Sequence, residues 1–395
     1  MIQKTWVAIF IFVLITRGVL QLLMPTPMAM VLHLGMVSLF TCTFAWLRGS
    51  QFSSRLLPLL AWAGAFLFCV VVSTALTTYQ GLVVWPTYVI FTVYSVLSGL
   101  VFARLSLCAA EPIPFAKILL WAGWVLFFVA LLEQFNLFVM PGASKFVIAR
   151  PASVTGSMLH YPIILALIAY CLLQWHAITK EKTYLFSGLF FCLAQVAALS
   201  RSGMLIVAGG YGFAVLLTIL HRPQTVLKAG FVLVLILAVL GAALASDRES
   251  LPYKVANRIV TSADSHAPGN ADRIRKWRIS AERWSSTQWL FGEMTGIATN
   301  SSFRFSSGSF FITESGFFQQ LLNYGILGVI SYYGFLISIG LLIRKEHIFL
   351  RAVFLSSIVE TFVYQSVEVV SFMTLLMMLP WISQTYGFSL SYENK

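Results

Sequence analysis

The feature that most constrains this chain is a succession of continuous apolar runs, each close to the roughly 20 residues a helix needs to cross a bilayer. They centre on residues 6–23, 27–47, 56–76, 83–103, 115–135, 157–175, 184–199, 203–220, 227–245, 318–343, 348–369 and 372–390. Barrel strands would alternate polar and apolar residues; these runs do not. Only 10% of the 395 residues are charged, against about a quarter in a soluble domain. That leaves too little polar surface to coat a large soluble core. The expected fold is therefore an all-α polytopic membrane protein of about 12 transmembrane helices. Residues 246–315 contain no spanning run. They are expected to form one large loop carrying short amphipathic helices, between a bundle of nine spans over 1–245 and one of three over 316–395. The first run is read as a retained span, because no small-x-small cleavage site follows it.

Loop charges set the expected orientation. Arg48, Arg55, Arg104, Lys117, Lys180, Lys182, Arg222, Lys228, Arg344, Lys345 and Arg351 share one side with Lys4 and Lys395, while only Lys145, Arg150 and Arg201 fall opposite. A bias of 13 against 3 puts both termini in the cytoplasm and the long loop outside, since positive charge collects on cytoplasmic loops. The same bias accounts for the net charge of +12, so no nucleic-acid partner is expected. The five cysteines (Cys42, Cys69, Cys108, Cys171 and Cys192) lie in or beside apolar runs. They provide neither a disulfide framework nor a CxxC metal site.

Arg150 and Arg201 stand against this bias, and a charge placed so needs a reason; binding an anion is a common one. Arg150 opens the stretch RPASVTGSMLHYP (150–162), a polar turn leading through His160 into a span near Pro162. Free N–H groups of such a turn beside an arginine can seat a phosphate; a capped helix start with a surface arginine is the plainer alternative. Arg201 sits between Ser200 and Ser202 in a tight knot joining two apolar runs. Its planar fork can grip two phosphate oxygens, or it can meet lipid headgroups. Arg17 lies inside the first run, snorkelling or pairing.

The loop contributes two further segments. Over 270–284, Ile274, Trp277, Ala281 and Trp284 fall on one helical face, Arg273, Lys276, Ser280 and Arg283 on another, and Arg275, Arg278 and Glu282 on a third. This helix suits either an interfacial helix among lipid headgroups or a lid whose arginines hold a lipid pyrophosphate. Glu314, flanked by Phe310, Phe311, Phe317 and Phe318, is a candidate general base or acid, or a helix-capping carboxylate. Glu360 and Glu368 lie in an apolar run, where carboxylates are functional by default unless a partner such as Arg17 explains them. No phosphate-binding glycine loop, HExxH or DxD pair is visible. A substrate that arrives already activated, such as a lipid pyrophosphate sugar, fits that pattern.

Taken together, RPASVTGSMLHYP (150–162), ALSRSGMLIVAGG (198–210), ADRIRKWRISAERW with LFGEMTG (271–296) and TESGFFQQLLNYGILG (313–328) resemble the O-antigen polymerase/ligase superfamily of bacterial membrane glycosyltransferases. The resemblance covers about 150–330. It implies metal-independent, inverting transfer of an undecaprenyl-pyrophosphate-linked oligosaccharide at the periplasmic face of the inner membrane, with no cofactor. It also implies contact with membrane lipid and with a polysaccharide chain-length regulator. By resemblance, Glu314, Arg201 and Arg273 form the catalytic set, and Arg150, His160, Arg275 and Arg278 bind substrate. The ligase branch carries a His eleven residues before the glycine matching Gly325, where this chain has Glu314; that favours a polymerase over a ligase. A lipid-sugar flippase is the alternative from another class, but no internal repeat supports it.

Overall fold

The computed structural model describes residues 2–46, 53–79, 86–108, 113–141, 150–198, 200–221, 238, 241–248, 250–262, 264, 266–267, 269–285, 289–293, 295–299 and 312–393. The 227–245 run lies largely outside these, as do Arg48, Lys145, Arg222, Lys228, Phe310 and Phe311. Among the described residues the structure is all-helical, with no strand beyond isolated bridges at Arg150 and Ala298. In chain order the helices are α1 (Ile2–Ile15), α2 (Arg17–Leu23), α3 (Thr26–Trp46), α4 (Leu57–Tyr79), α5 (Pro86–Leu107), α6 (Phe115–Gln134), α7 (His160–Thr179), α8 (Lys182–Ala197), α9 (Arg201–His221), α10 (Leu251–Ser262), α11 (Asn270–Ser285), α12 (Gly316–Leu341), α13 (Ile348–Val363) and α14 (Val370–Glu393).

Seven of the described helices, α3 to α7, α9 and α12, are long and apolar enough to cross a membrane, and the bent pair α1–α2 makes an eighth if it is one span. The sequence led us to expect about 12. Two of the remaining runs form helices of only 16 residues, α8 and α13. At about 1.5 Å per residue they reach roughly 24 Å, short of a 30 Å hydrocarbon core. The second half of α14 carries Ser383, Gln384 and Thr385, which dilute its apolar character.

The core is organised around α7, buried on all sides from Tyr161 to Gln174. A helix that is apolar all round finds its place inside a bundle, and α7 packs against α6, α8, α9, α13 and α14. On α14, Trp381 stacks on Phe102 and meets Phe44 and Phe115 edge-on, an arrangement that suits the charge distribution of aromatic rings.

Two helices are broken, and both breaks position the end of the bundle described next. The first comes at Thr16, where α1 and α2 bend by 61°. Arg17, the residue noted inside an apolar run, begins α2; it is buried and donates to the Gly156 carbonyl at 3.2 Å. The two backbones touch here, since a Cβ on Gly18 would lie 2.5 Å from the Gly156 nitrogen. The second break is in α12 at Gly325, whose φ of +68° no ordinary residue adopts readily. The kink frees backbone groups of α12, which the segment 289–293 takes up. The Ile326 amide donates to Trp289 O at 3.0 Å, and the Glu293 amide to Leu322 O at 2.8 Å.

From that anchor, residues 295–299 run between α4 and α12. The Thr295 amide donates to Thr77 Oγ1 at 3.0 Å, the Gly296 amide to Asn323 Oδ1 at 2.6 Å, and Asn323 Nδ2 to Ala298 O at 3.0 Å. This part of the long loop is thus built into the bundle. The Thr295 hydroxyl meets Ser73 Oγ at 2.8 Å, while Asn323 bonds backbone groups of the loop, so these buried polar groups are satisfied as they must be.

Candidate functional site

Three helices begin and one ends at the same end of the bundle. His160 opens α7, Arg201 opens α9 and Gly316 opens α12, while Tyr364 closes α13. Gly203 packs against Pro162, and the Gly316 amide donates to Tyr364 O at 2.9 Å. Helix N-termini carry partial positive charge, so this end of the bundle favours anions before any side chain is considered.

Arg150 reaches it from the segment after α6. Glu133, in the last turn of α6, is buried and fastens that segment at two points. Its Oε1 accepts from the Met140 amide at 3.0 Å and its Oε2 from the Ser153 amide at 2.6 Å. Ser153 Oγ then donates to Leu126 O at 2.6 Å. Two amides of this turn, those of Ser153 and Gly156, are therefore occupied within the protein, the latter by Ser153 O at 3.1 Å. Those two N–H groups are not free to seat a phosphate; the segment also carries Arg150. Arg150 is half-buried, and its Nε has no hydrogen-bond partner among the described residues. Burial first, and the neighbouring Arg201 charge second, hold its guanidinium below the usual arginine range.

Arg201 donates to Asn270 Oδ1 at the start of α11. Asn270 in turn donates to Thr261 O at 3.2 Å and Asp264 O at 2.7 Å, which ties α10 and α11 to the head of α9. Ser200 and Ser202 are buried and face each other, their hydroxyls 3.0 Å apart.

Arg273 comes from α11 and lies 4.5 Å above the Tyr364 ring, within cation–π range. It also pairs with Glu314 at 3.3 Å. Lys276, one turn along the same face, holds Glu314 at 2.5 Å and Asp272 at 3.1 Å. Burial pushes the Tyr364 hydroxyl up from its ordinary value while Arg273 and Arg201 pull it back. It therefore stays a neutral hydroxyl donor at physiological pH. Further along α11, Arg283 pairs with Glu293, joining the helix to the segment anchored at the α12 kink.

The structure thus brings Arg150, Arg201, Arg273 and Glu314 together from four separate parts of the chain. His160 lies at the same end, at the start of α7. Arg275 and Arg278 do not join them: both are exposed on the opposite face of α11, where Arg275 pairs with Asp272 at 2.5 Å. Glu314 does not cap α12 either, because Ser315 does so, its hydroxyl accepting from the Phe318 amide. The two carboxylates of the 348–369 run have hydrogen-bond partners within the protein, Glu360 taking a bond from Ser366 and Glu368 one from Gln319.

Three residues of the site carried little or no sequence signal. Lys276 shares a helical face with Arg273, which was readable; Glu133 was a lone carboxylate at the end of an apolar run. Tyr364 gave nothing, since only the tertiary fold sets it under residue 273. Among the described residues no group of three or more His, Cys, Asp or Glu is placed to hold a metal.

A helical bundle with helices long and apolar enough to cross a membrane, and a cationic cluster at one end, is the class that fold and site define. No family model matches the chain. No curated protein matches it either.

Proposed function

We propose that the chain is a glycosyltransferase that polymerises undecaprenyl-pyrophosphate-linked oligosaccharide repeat units into a surface polysaccharide, O-antigen or a related polymer, at the periplasmic face of the bacterial inner membrane. One observation carries the reading. Arg150, half-buried and repelled by Arg201, has a buried Nε with no hydrogen-bond partner among the described residues. A buried cationic N–H without a partner is costly, and an anionic ligand removes that cost. A pyrophosphate presents two negative groups to the three guanidinium groups of Arg150, Arg201 and Arg273, which form charge-assisted bonds with its oxygens.

The chemistry then follows from charge. As the glycosidic bond to phosphate breaks, negative charge builds on the departing oxygen, and arginines already in place stabilise it without reorganising. Their location at one end of a bundle of membrane-crossing helices suits a substrate whose carrier is lipid. The acceptor is the non-reducing end of another lipid-linked unit, and Glu314 is the carboxylate at hand for its hydroxyl proton.

Two experiments test this. Purified protein in detergent is expected to elongate lipid-linked repeat units, which a transporter would not do. A deletion strain is expected to carry no more than one repeat unit on its lipid A–core, seen as loss of the ladder on a gel. A ligase would instead leave polymer on the carrier lipid and the core uncapped. The absence of both elongation in vitro and any change in surface polysaccharide would sink the proposal.

A further inference from the structure

Glu314 is held in a way that conflicts with a simple base. Its Oε1 is bonded to Lys276 at 2.5 Å and its Oε2 lies 3.3 Å from Arg273, so both carboxylate oxygens are engaged by cations in the resting protein. It does no capping, since Ser315 caps α12. Its backbone also has a φ of +54°, a conformation that side chains other than glycine rarely adopt and that persists only where the surroundings enforce it.

We infer that Glu314 is an internal stand-in for the donor's pyrophosphate, and that Lys276 is a further donor-binding residue. In the resting protein the Glu314 carboxylate occupies Arg273 and Lys276, the two cations that the donor's phosphates take over. This inference rests on the pyrophosphate reading above. Both cations have a second hold that survives the exchange. Arg273 stays over the Tyr364 ring at 4.5 Å, and Lys276 stays bonded to Asp272 at 3.1 Å. Only Glu314 is left without a partner when the donor arrives.

The released carboxylate is then a base, and only then. The acceptor's O–H proton passes to Glu314 while its oxygen forms the new bond to the anomeric carbon. The carbon–oxygen bond to phosphate breaks, and the lipid pyrophosphate leaves with that electron pair. Glu314 gives its proton to water, and its return to Arg273 and Lys276 restores the resting state. Donor binding and base release are thus one event, so no hydroxyl is activated before a donor is in place.

The test is calorimetric titration of the purified full-length protein in detergent with inorganic pyrophosphate, beside the elongation assay. Glu314→Gln keeps the side chain's shape and removes the competing charge. It is expected to bind pyrophosphate about tenfold more tightly, the loss of roughly one charge-assisted bond's competition, while elongation falls at least about a hundredfold. Equal binding would make Glu314 a base with no stand-in role, and weaker binding would make it a positioning residue; either overturns the inference and leaves the anion site standing. Lys276→Gln supplies an independent arm, with binding expected to weaken about tenfold; unchanged binding overturns the part given to Lys276. No pyrophosphate binding by any of the three proteins overturns both the inference and the reading beneath it.

Discussion

Arg150 and Arg273 place the same side chain on two sides of one cluster, in opposite electrostatic situations. Arg273 has an internal counter-charge in Glu314 and lies over the Tyr364 ring, although its Nε, like that of Arg150, has no hydrogen-bond partner among the described residues. Arg150 forms no ion pair among the described residues, and its segment is fixed by the grip of Glu133 on the Met140 and Ser153 amides. One side of the cluster thus carries its own carboxylate at rest, and Arg150 does not. A site of this kind attracts an anion through Arg150 and accommodates it by rearranging the side that holds Glu314.

The largest effect is expected from the arginines at the heads of the cluster. Arg150→Ala or Arg201→Ala should lower elongation at least about a hundredfold, near 3 kcal/mol of transition-state stabilisation, with normal insertion into the membrane. Activity within threefold of wild type would break the comparison. Next comes the support beneath Arg150. Glu133→Ala leaves two buried amides without an acceptor and should lower stability by about 2–3 kcal/mol, read as an earlier thermal transition in detergent. An unchanged transition would mean that the segment is held by other means. Tyr364→Leu removes the ring under Arg273 and should weaken pyrophosphate binding by about 1 kcal/mol, roughly fivefold; a change above thirtyfold would assign the hydroxyl a direct role. Smallest of all, Arg275→Ala and Arg278→Ala act on the exposed face of α11. Each should shift activity by less than about 0.5 kcal/mol. A large loss from either would bring that face back into the site.

The arginines of this cluster were legible because they broke a rule. Arg150 and Arg201 oppose the charge bias of the loops, and Arg273 begins the one strongly basic helix. All-helical architecture followed directly from continuous apolar runs. What stayed hidden depends on contacts between distant parts of the chain. No periodicity links residue 273 to residue 364, or Glu133 to Ser153. The α12 run shows no apolar gap at Gly325, so it reads as straight although its backbone turns there. Arg275 and Arg278 belong to the expected site by resemblance alone; their helical face differs from that of Arg273, and a helix shows its partner only one face. Lys276 shares the inward face with Arg273.

The kink at Gly325 has a mechanical consequence. The amides of residues 293 and 326 cross-bond the loop to the bent helix, and the Arg283 pair with Glu293 passes that fastening on to α11. The basic helix that carries Arg273 and Lys276 is thereby fastened to the bend in α12 rather than to its straight part. Hydrogen exchange at those two amides should be protected to the same degree, opening together as a single unit. The anchor point of the basic helix is thus a glycine buried far along a helix whose first residues belong to the site.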